Sequence, residues 1–329
     1  MANYAAMTGW GMAVPERVLT NADLERIVET SDEWIQTRTG IRERRVAGPG
    51  EYTSTLSIAA GRAALERAGL DAAQIDTVIL ATCTPDRPFP ATACTIQAGI
   101  GARRAAAFDL VAACSGFVYG LNVATSMIRS GAARNVLFVA CDIFTHFINW
   151  NDRNTCVLFG DGAGAVVLQP SDEPAGLISC VLGADGEQED LMAVDAGGTR
   201  LPATPELLEQ GRQYVSMNGR EIFKHAVREM AASSLEAIRI AGLSPDDIAL
   251  VVPHQANLRI IEATARRLEV PMERVFVNLD RYGNTSAASV PIALVEAVEQ
   301  QRLRKGDYAL LTAFGGGLTW ASAVIRWTA

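Results

Sequence analysis

Three residues of chemically useful type stand at the ends of apolar runs: Cys114 in FDLVAACSGF, His254 in VVPHQANLR and Asn284 in LDRYGNTSAASVP. A thiol attacks a carbonyl carbon once it is a thiolate, and it then needs partners that handle protons or charge. Imidazole and carboxamide are such partners, because each can donate to a developing oxyanion. Each residue also has a plainer reading. A free cysteine fills cores as a small hydrophobe, a lone histidine is often a satisfied core residue, and an asparagine ahead of a helix is an ordinary N-cap.

Position decides between the readings. Residues 110–128 carry no charge, a length near the lower limit for a membrane span. The run changes character midway. AAAFDLVAA (105–113) reads as a strand, and SGFVYGLNVATSMIRSG reads as a helix that stops at Gly131 after Arg129 in its last turn. A buried strand followed by a buried helix accounts for the length without a membrane. Cys114 then lies at a strand-to-helix junction, facing free N–H groups and the positive end of a helix dipole, and such a place is expected to lower its pKa. His254 directly follows an apolar strand, at the C-terminal end where α/β sheets carry their sites.

The elements that must position these residues come in two copies. AGLDAAQIDTVILATCT from Ala68 and AGLSPDDIALVVPHQAN from Ala241 share one pattern at an offset of 173: helix end, glycine stop, polar turn, buried strand. NVLFVACD (135–142) and DYALLTAFG (307–315) match near the same offset. The Cys114 segment falls, at a slightly smaller shift, opposite NLDRYGNTSAASVPIALVEAV. Near-continuous apolar strands alternating with helices predict sheets covered on both faces. The only weak boundary is QPSDEPAG (169–176).

Two glycine stretches divide. GDGAGA (160–165) fits a dinucleotide fingerprint in letters, but VVLQP follows it rather than a helix, so 155–168 is expected to be a hairpin-like turn. FGGGLTW (314–320) ends the strand ALLTA, where glycines let backbone N–H groups approach a ligand, or simply make a tight turn.

Composition sets outer limits. A net charge of −8 argues against nucleic acid as the main partner, so an acidic partner must meet a local basic patch. Six cysteines (Cys83, Cys94, Cys114, Cys141, Cys156, Cys180) show no C-x-x-C pair, and with three histidines no metal site is expected. The start MANYAAMTGWGM has no basic and apolar leader pattern, so a cytoplasmic protein with reduced thiols is expected. The order Cys, His, Asn, with 140 residues from Cys114 to His254, also fits papain-like proteases. The cysteine motif of that class is absent, and the duplicated layout does not suit it.

Taken together, AACSGF, VPHQANLR, GNTSAAS and FGGGLTW resemble the condensing enzymes of the thiolase superfamily, in particular the β-ketoacyl-[acyl-carrier-protein] synthase III family. The likeness continues through TNADLERIVETSDEWIQTRTGIRERR, FGDGAGAVVL and HQANLRIIEATARRL. It implies an α/β protein with the five-layered αβαβα thiolase fold in two duplicated halves, 1–172 carrying the cysteine and 173–329 carrying His and Asn. It implies decarboxylative condensation of an acyl-CoA primer, acetyl-CoA by expectation, with malonyl-acyl carrier protein to start type II fatty acid synthesis. A related condensing or acyl-transfer enzyme of a polyketide pathway would share the same residues. A catalytically silent paralogue would not need Cys114, His254 and Asn284 intact.

The resemblance also implies roles. Cys114 is the acylated nucleophile, His254 and Asn284 stabilise the enolate, and Gly316 joins the Cys114 N–H in an oxyanion hole. Trp34 and Arg38, four apart on a helix capped by Ser31, hold coenzyme A together with Arg153; without the family they read as a surface cation–π pair. Phe89 reaches an acyl pocket across a homodimer interface. Lys224, Arg259, Arg266 and Arg267 form the carrier-protein docking face, which otherwise reads as a solvated helix side. Coenzyme A enters as a thioester substrate, with no cofactor, no metal, no nucleic acid and no membrane.

Overall fold

The computed structural model describes residues 3–329; Met1 and Ala2, the first letters of the stretch read for a leader, lie outside them. Nine strands share one sheet: β1 (Tyr4–Ala13), β2 (Thr77–Ala81), β3 (Ala106–Leu110), β4 (Val136–Ile143), β5 (Asp161–Ser171), β6 (Gly176–Ala184), β7 (Ile248–Pro253), β8 (Tyr308–Gly315) and β9 (Thr319–Arg326). Their order across the sheet is β7-β8-β9-β6-β1-β5-β4-β2-β3. β2 runs parallel to β3 and β4, while β5 is antiparallel to β4 and to β1. On the other side β7 is parallel to β8, and β9 is antiparallel to β8 and to β6. The second group therefore repeats the order and sense of the first, except that the single bridge Val251↔Val275 stands where β3 would lie. One pair, Ala5↔Gly176, joins the groups.

The helices that matter here are α1 (Asp32–Thr39), α2 (Thr53–Ala68), α3 (Thr92–Ile100), α4 (Gly116–Ser130), α5 (Gly219–Ile240), α6 (Leu258–Arg267) and α7 (Ser289–Glu299). α4 and α7 touch strands of both groups, whereas α2 packs on β1, β4 and β5, and α5 on β6, β8 and β9. That is the αβαβα layering of the thiolase fold. Every residue of β2 and β4 is buried, as strands covered on both faces must be. The central core draws Phe117 and Phe138 from one group and Val290, Leu294 and Leu311 from the other. Among the described residues no helix is long and apolar enough to cross a membrane.

Three expectations shift. The strand read over 105–113 stops at Leu110, and Val111 is exposed before the turn to α4. α4 and α7 begin at Gly116 and Ser289, so the Cys114 segment repeats at the full offset of 173 rather than a smaller one. GDGAGA is not a turn, because from Asp161 it is the start of β5. Its glycines serve packing: a Cβ on Gly164 would stand 2.6 Å from Pro291 Cβ, so only a bare backbone lets α7 lie this close.

Asp161 anchors β5. Its carboxylate accepts from the Ala47 N–H (2.7 Å), the Thr145 N–H (3.0 Å) and the Thr145 hydroxyl (2.6 Å). Burial nevertheless pushes its pKa up to about 6. A folded pKa above the unfolded value means that stability falls as pH rises from about 4 to about 6. In urea titrations wild type should lose about 2 kcal/mol more than Asp161→Asn between pH 4 and pH 7. Parallel pH profiles for the two proteins would show that Asp161 is not the titrating group.

Candidate active site

β3 ends at Leu110, and the chain enters α4 through a 3-10 turn, Ala113–Ser115. The second half builds the same turn, Ser286–Ala288, ahead of α7. Ala113 (φ 46) and Ser286 (φ 51), 173 residues apart, both adopt the left-handed backbone that non-glycine residues rarely take. Such strain persists where the surroundings over-determine it, commonly at functional sites. The two turns meet, and the Cys114 Sγ lies 3.4 Å from the Ser286 Oγ.

Cys114 is buried, and this changes its expected acidity. Desolvation pushes the thiol up to about 12, against the opposing pull of the Ser286 hydroxyl and the residue's own N–H; the Asp142 carboxylate adds to the rise. The helix-terminus argument fails because the sulfur sits in the interior, where losing water outweighs what the junction donates. At rest the Cys114 side chain is therefore a neutral thiol. Asp142 itself has no exposed surface and accepts from the Thr82 hydroxyl (3.0 Å), the Cys83 N–H (2.8 Å), the Thr84 hydroxyl (3.0 Å) and the Ala287 N–H (3.3 Å).

His254 follows β7, with its N–H bonded to the Thr312 carbonyl of β8 (2.8 Å). Burial holds its imidazole down to about 3, so the ring is neutral near neutral pH. Its Nδ1 lies 2.6 Å from the Ser289 Oγ. Asn284 bridges to Phe159 through backbone bonds with Leu158 (2.8 Å) and Gly160 (3.0 Å). Its Oδ1 accepts from the Ser286 N–H (2.9 Å), which leaves Nδ2 as a donor. Cys114, His254, Asn284 and Gly316 line one apolar cavity of about 130 Å³, walled by Met192 and Phe223 among others. Gly315 backs Cys114: a Cβ there would fall 2.5 Å from the Cys114 nitrogen.

The chain is similar to known proteins in both sequence and fold. The 3-oxoacyl-[acyl-carrier-protein] synthase III family model matches residues 108–186, and its C-terminal model matches 238–327. The β-ketoacyl-[acyl-carrier-protein] synthase III of Roseiflexus sp. (strain RS-1) is 99% identical over 329 residues, covering 100% of both chains. The chain belongs to the β-ketoacyl-[acyl-carrier-protein] synthase III family. The solved synthase III structure of Thermus thermophilus is 51% identical with a TM-score of 0.91, over 98% of this chain and 99% of that one. The one from Aquifex aeolicus VF5 is 47% identical with a TM-score of 0.92, over 98% and 100%.

The other residues picked out by the synthase III resemblance fall in three places. Ser31 caps α1 by accepting from the Trp34 N–H, and the Arg38 and Arg153 guanidinium carbons stand 5.7 and 5.0 Å from the Trp34 ring centroid. The Asn257 side chain donates to the Arg38 carbonyl (3.0 Å) and also lines the cavity, so this cluster flanks the mouth. Arg259 lies beside that mouth, 5.8 Å from the Phe223 ring, while Arg266 and Arg267 occupy the last turn of α6. Lys224 is exposed and paired with Glu221 at 2.8 Å. Phe89 does not join the site within this chain; it stands 86% exposed on the loop before α3. Among the described residues no cluster of three or more His, Cys, Asp or Glu is placed to hold a metal ion.

Sequence reasoning passed over Ser286, Ser289 and Asp142. The signals were present as hydroxyls within GNTSAAS and as the one acid in the otherwise apolar strand VLFVACDI. With the thiol near 12, alkylation of the Cys114 peptide by iodoacetamide, followed by mass spectrometry, should speed up about tenfold per pH unit from pH 7 to 9. A plateau near pH 7 would mean the thiolate already exists at rest.

Proposed function

We propose that Cys114 carries the acyl group while His254 and Asn284 together hold the enolate. The family reaction is decarboxylative condensation of an acyl-CoA primer with malonyl-acyl carrier protein, which initiates fatty acid synthesis. The observation that carries the residue assignment is the convergence of one thiol and two neutral donors in one apolar cavity. In the first half-reaction the Cys114 sulfur bonds the primer carbonyl and the coenzyme A thioester bond breaks. The thiol proton ends on the coenzyme A sulfur. The Cys114 and Gly316 N–H groups hold the intermediate oxyanion. In the second, the malonyl C–C bond breaks, carbon dioxide leaves, and negative charge moves onto the thioester oxygen between His254 and Asn284. The enolate carbon then bonds the acyl carbon, the Cys114 sulfur departs, and a proton restores the thiol. Neutral donors suit this step, because an apolar cavity strengthens their dipoles without burying a second charge.

The halves 1–172 and 173–329 divide the work: the first supplies the nucleophile and the second the donors. The Trp34 cluster takes the coenzyme A nucleotide, with adenine displacing the Arg153 guanidinium from the ring. No resident cofactor or metal takes part. The unpaired edge of β3, flanked by exposed Phe89 and Val111, supports a homodimer in which Phe89 enters the partner's acyl site. Free thiols at all six cysteines suit a cytoplasmic setting. Lys224, Arg259, Arg266 and Arg267 receive the acidic carrier; the exposed Lys224–Glu221 pair is cheap to exchange for a carrier carboxylate.

His254→Ala and Asn284→Ala should still accept acetyl groups on Cys114, read by intact mass. Both should release carbon dioxide from malonyl-acyl carrier protein about 10²-fold or more slowly. Normal decarboxylation in either variant would refute its enolate role. Arg259→Glu should raise KM for malonyl-acyl carrier protein about fivefold, since reversing a rim charge costs on the order of 1 kcal/mol. Acylation by acetyl-CoA should be unaffected, and an unchanged carrier KM would move the docking face elsewhere.

A further inference from the structure

A neutral histidine carries its proton on one ring nitrogen, and only an Nε2–H can donate into the cavity when Nδ1 faces the protein. Ser289, the first residue of α7, is buried, and its hydroxyl meets two groups: the His254 Nδ1 at 2.6 Å and the Gln255 N–H at 3.3 Å. The Gln255 N–H can only donate, so the Ser289 oxygen accepts from it. If Nδ1 also carried a proton, that oxygen would accept twice, and the hydroxyl hydrogen would be left buried without an acceptor. Leaving a buried donor unmade is unfavourable. One arrangement satisfies all three groups: Gln255 N–H donates to the Ser289 oxygen, and the Ser289 hydroxyl donates to Nδ1.

We propose that Ser289 is the positioning residue that fixes His254 as the Nε2–H tautomer, aimed into the cavity as a donor beside the Asn284 amide. The assignment deepens the enolate reading given above and rests on it for its catalytic meaning. It also excludes His254 as the base that takes the Cys114 proton through Nε2, because that nitrogen is already protonated.

The frame around the bond is rigid. The Gln255 side chain is buried, donates to the Pro253 and Phe276 carbonyls (2.8 and 3.0 Å), and accepts from the Asn278 N–H (3.0 Å). Asn278 in turn donates to Glu296 of α7 at 2.9 Å, and Glu296 also accepts from Arg281 and Tyr282. Ser289 and Glu296 thus tie the end of β7 to the same helix at two points, so the imidazole has little freedom to turn away from the hydroxyl.

The chain has three histidines, so side-chain ¹⁵N–¹H correlation spectra of the whole enzyme resolve each ring. His254→Gln identifies the His254 signals. The expected result in wild type is a proton on Nε2 and a hydrogen-bonded acceptor at Nδ1. A proton found on Nδ1 overturns the inference, whatever the activity. Ser289→Ala should remove the acceptor signature at Nδ1 and slow decarboxylation about 10-fold or more, the order of loss seen when the partner that orients a metal-bound histidine is removed. Acetylation of Cys114 should stay near wild type, and Ser289→Thr, which keeps the hydroxyl, should restore the Nδ1 signature and most of the rate. A folded Ser289→Ala that decarboxylates normally would also overturn the positioning role. If instead His254→Ala decarboxylates normally while wild type shows Nε2–H, the tautomer assignment stands and the enolate reading fails.

Discussion

The starts of α4 and α7 press against each other at the centre of the molecule, Gly116 on Ala287, with Ala113 and Ser286 bent into left-handed backbone on either side. Each turn is held because the other half packs on it, with the Asp142 carboxylate gathering N–H and hydroxyl donors from the end of β2 and from the α7 turn. Cys114 comes from one turn, Asn284 from the approach to the other, and His254 from the neighbouring strand end. The site is therefore a property of the contact between the halves and belongs to neither one.

That contact is buried and mostly apolar, and burial sets the chemistry. The same loss of water raises the Cys114 thiol and lowers the His254 imidazole, so both rest uncharged. A charged imidazolium would be a stronger donor but would have to be buried without a counter-ion. A neutral ring held in one tautomer, beside a carboxamide whose oxygen is already used, offers two fixed dipoles in place of one mobile charge. The carboxylate that bears on Cys114, Asp142, is held by four donors.

Much of this was legible in the letters. Near-continuous apolar runs located β2, β4, β7 and β8, and glycine stops such as Gly131 located helix ends, because both signals are local. The pairing of Trp34 with Arg38 followed from a spacing of four. Acidity was not legible: the Cys114 sulfur is buried by residues distant in sequence, Ser286, 172 positions away, among its neighbours. GDGAGA misled for a related reason, since its glycines answer to Pro291 and Ile292 across the core rather than to a local turn. Ser289 was invisible as anything but a helix-start hydroxyl until β7 was seen to end against it.

β1 lies in the middle of the sheet, with Tyr4 paired to Ser171, 167 residues further along the chain. During synthesis this first strand leaves the ribosome long before β5 exists to receive it. At about 5–20 residues per second the wait is on the order of 10 to 30 s. Its alternating pattern, buried at Ala5, Met7, Gly9 and Gly11, exposes an apolar edge for that whole interval. The nascent chain therefore carries this apolar strand without its sheet partner until β5 emerges.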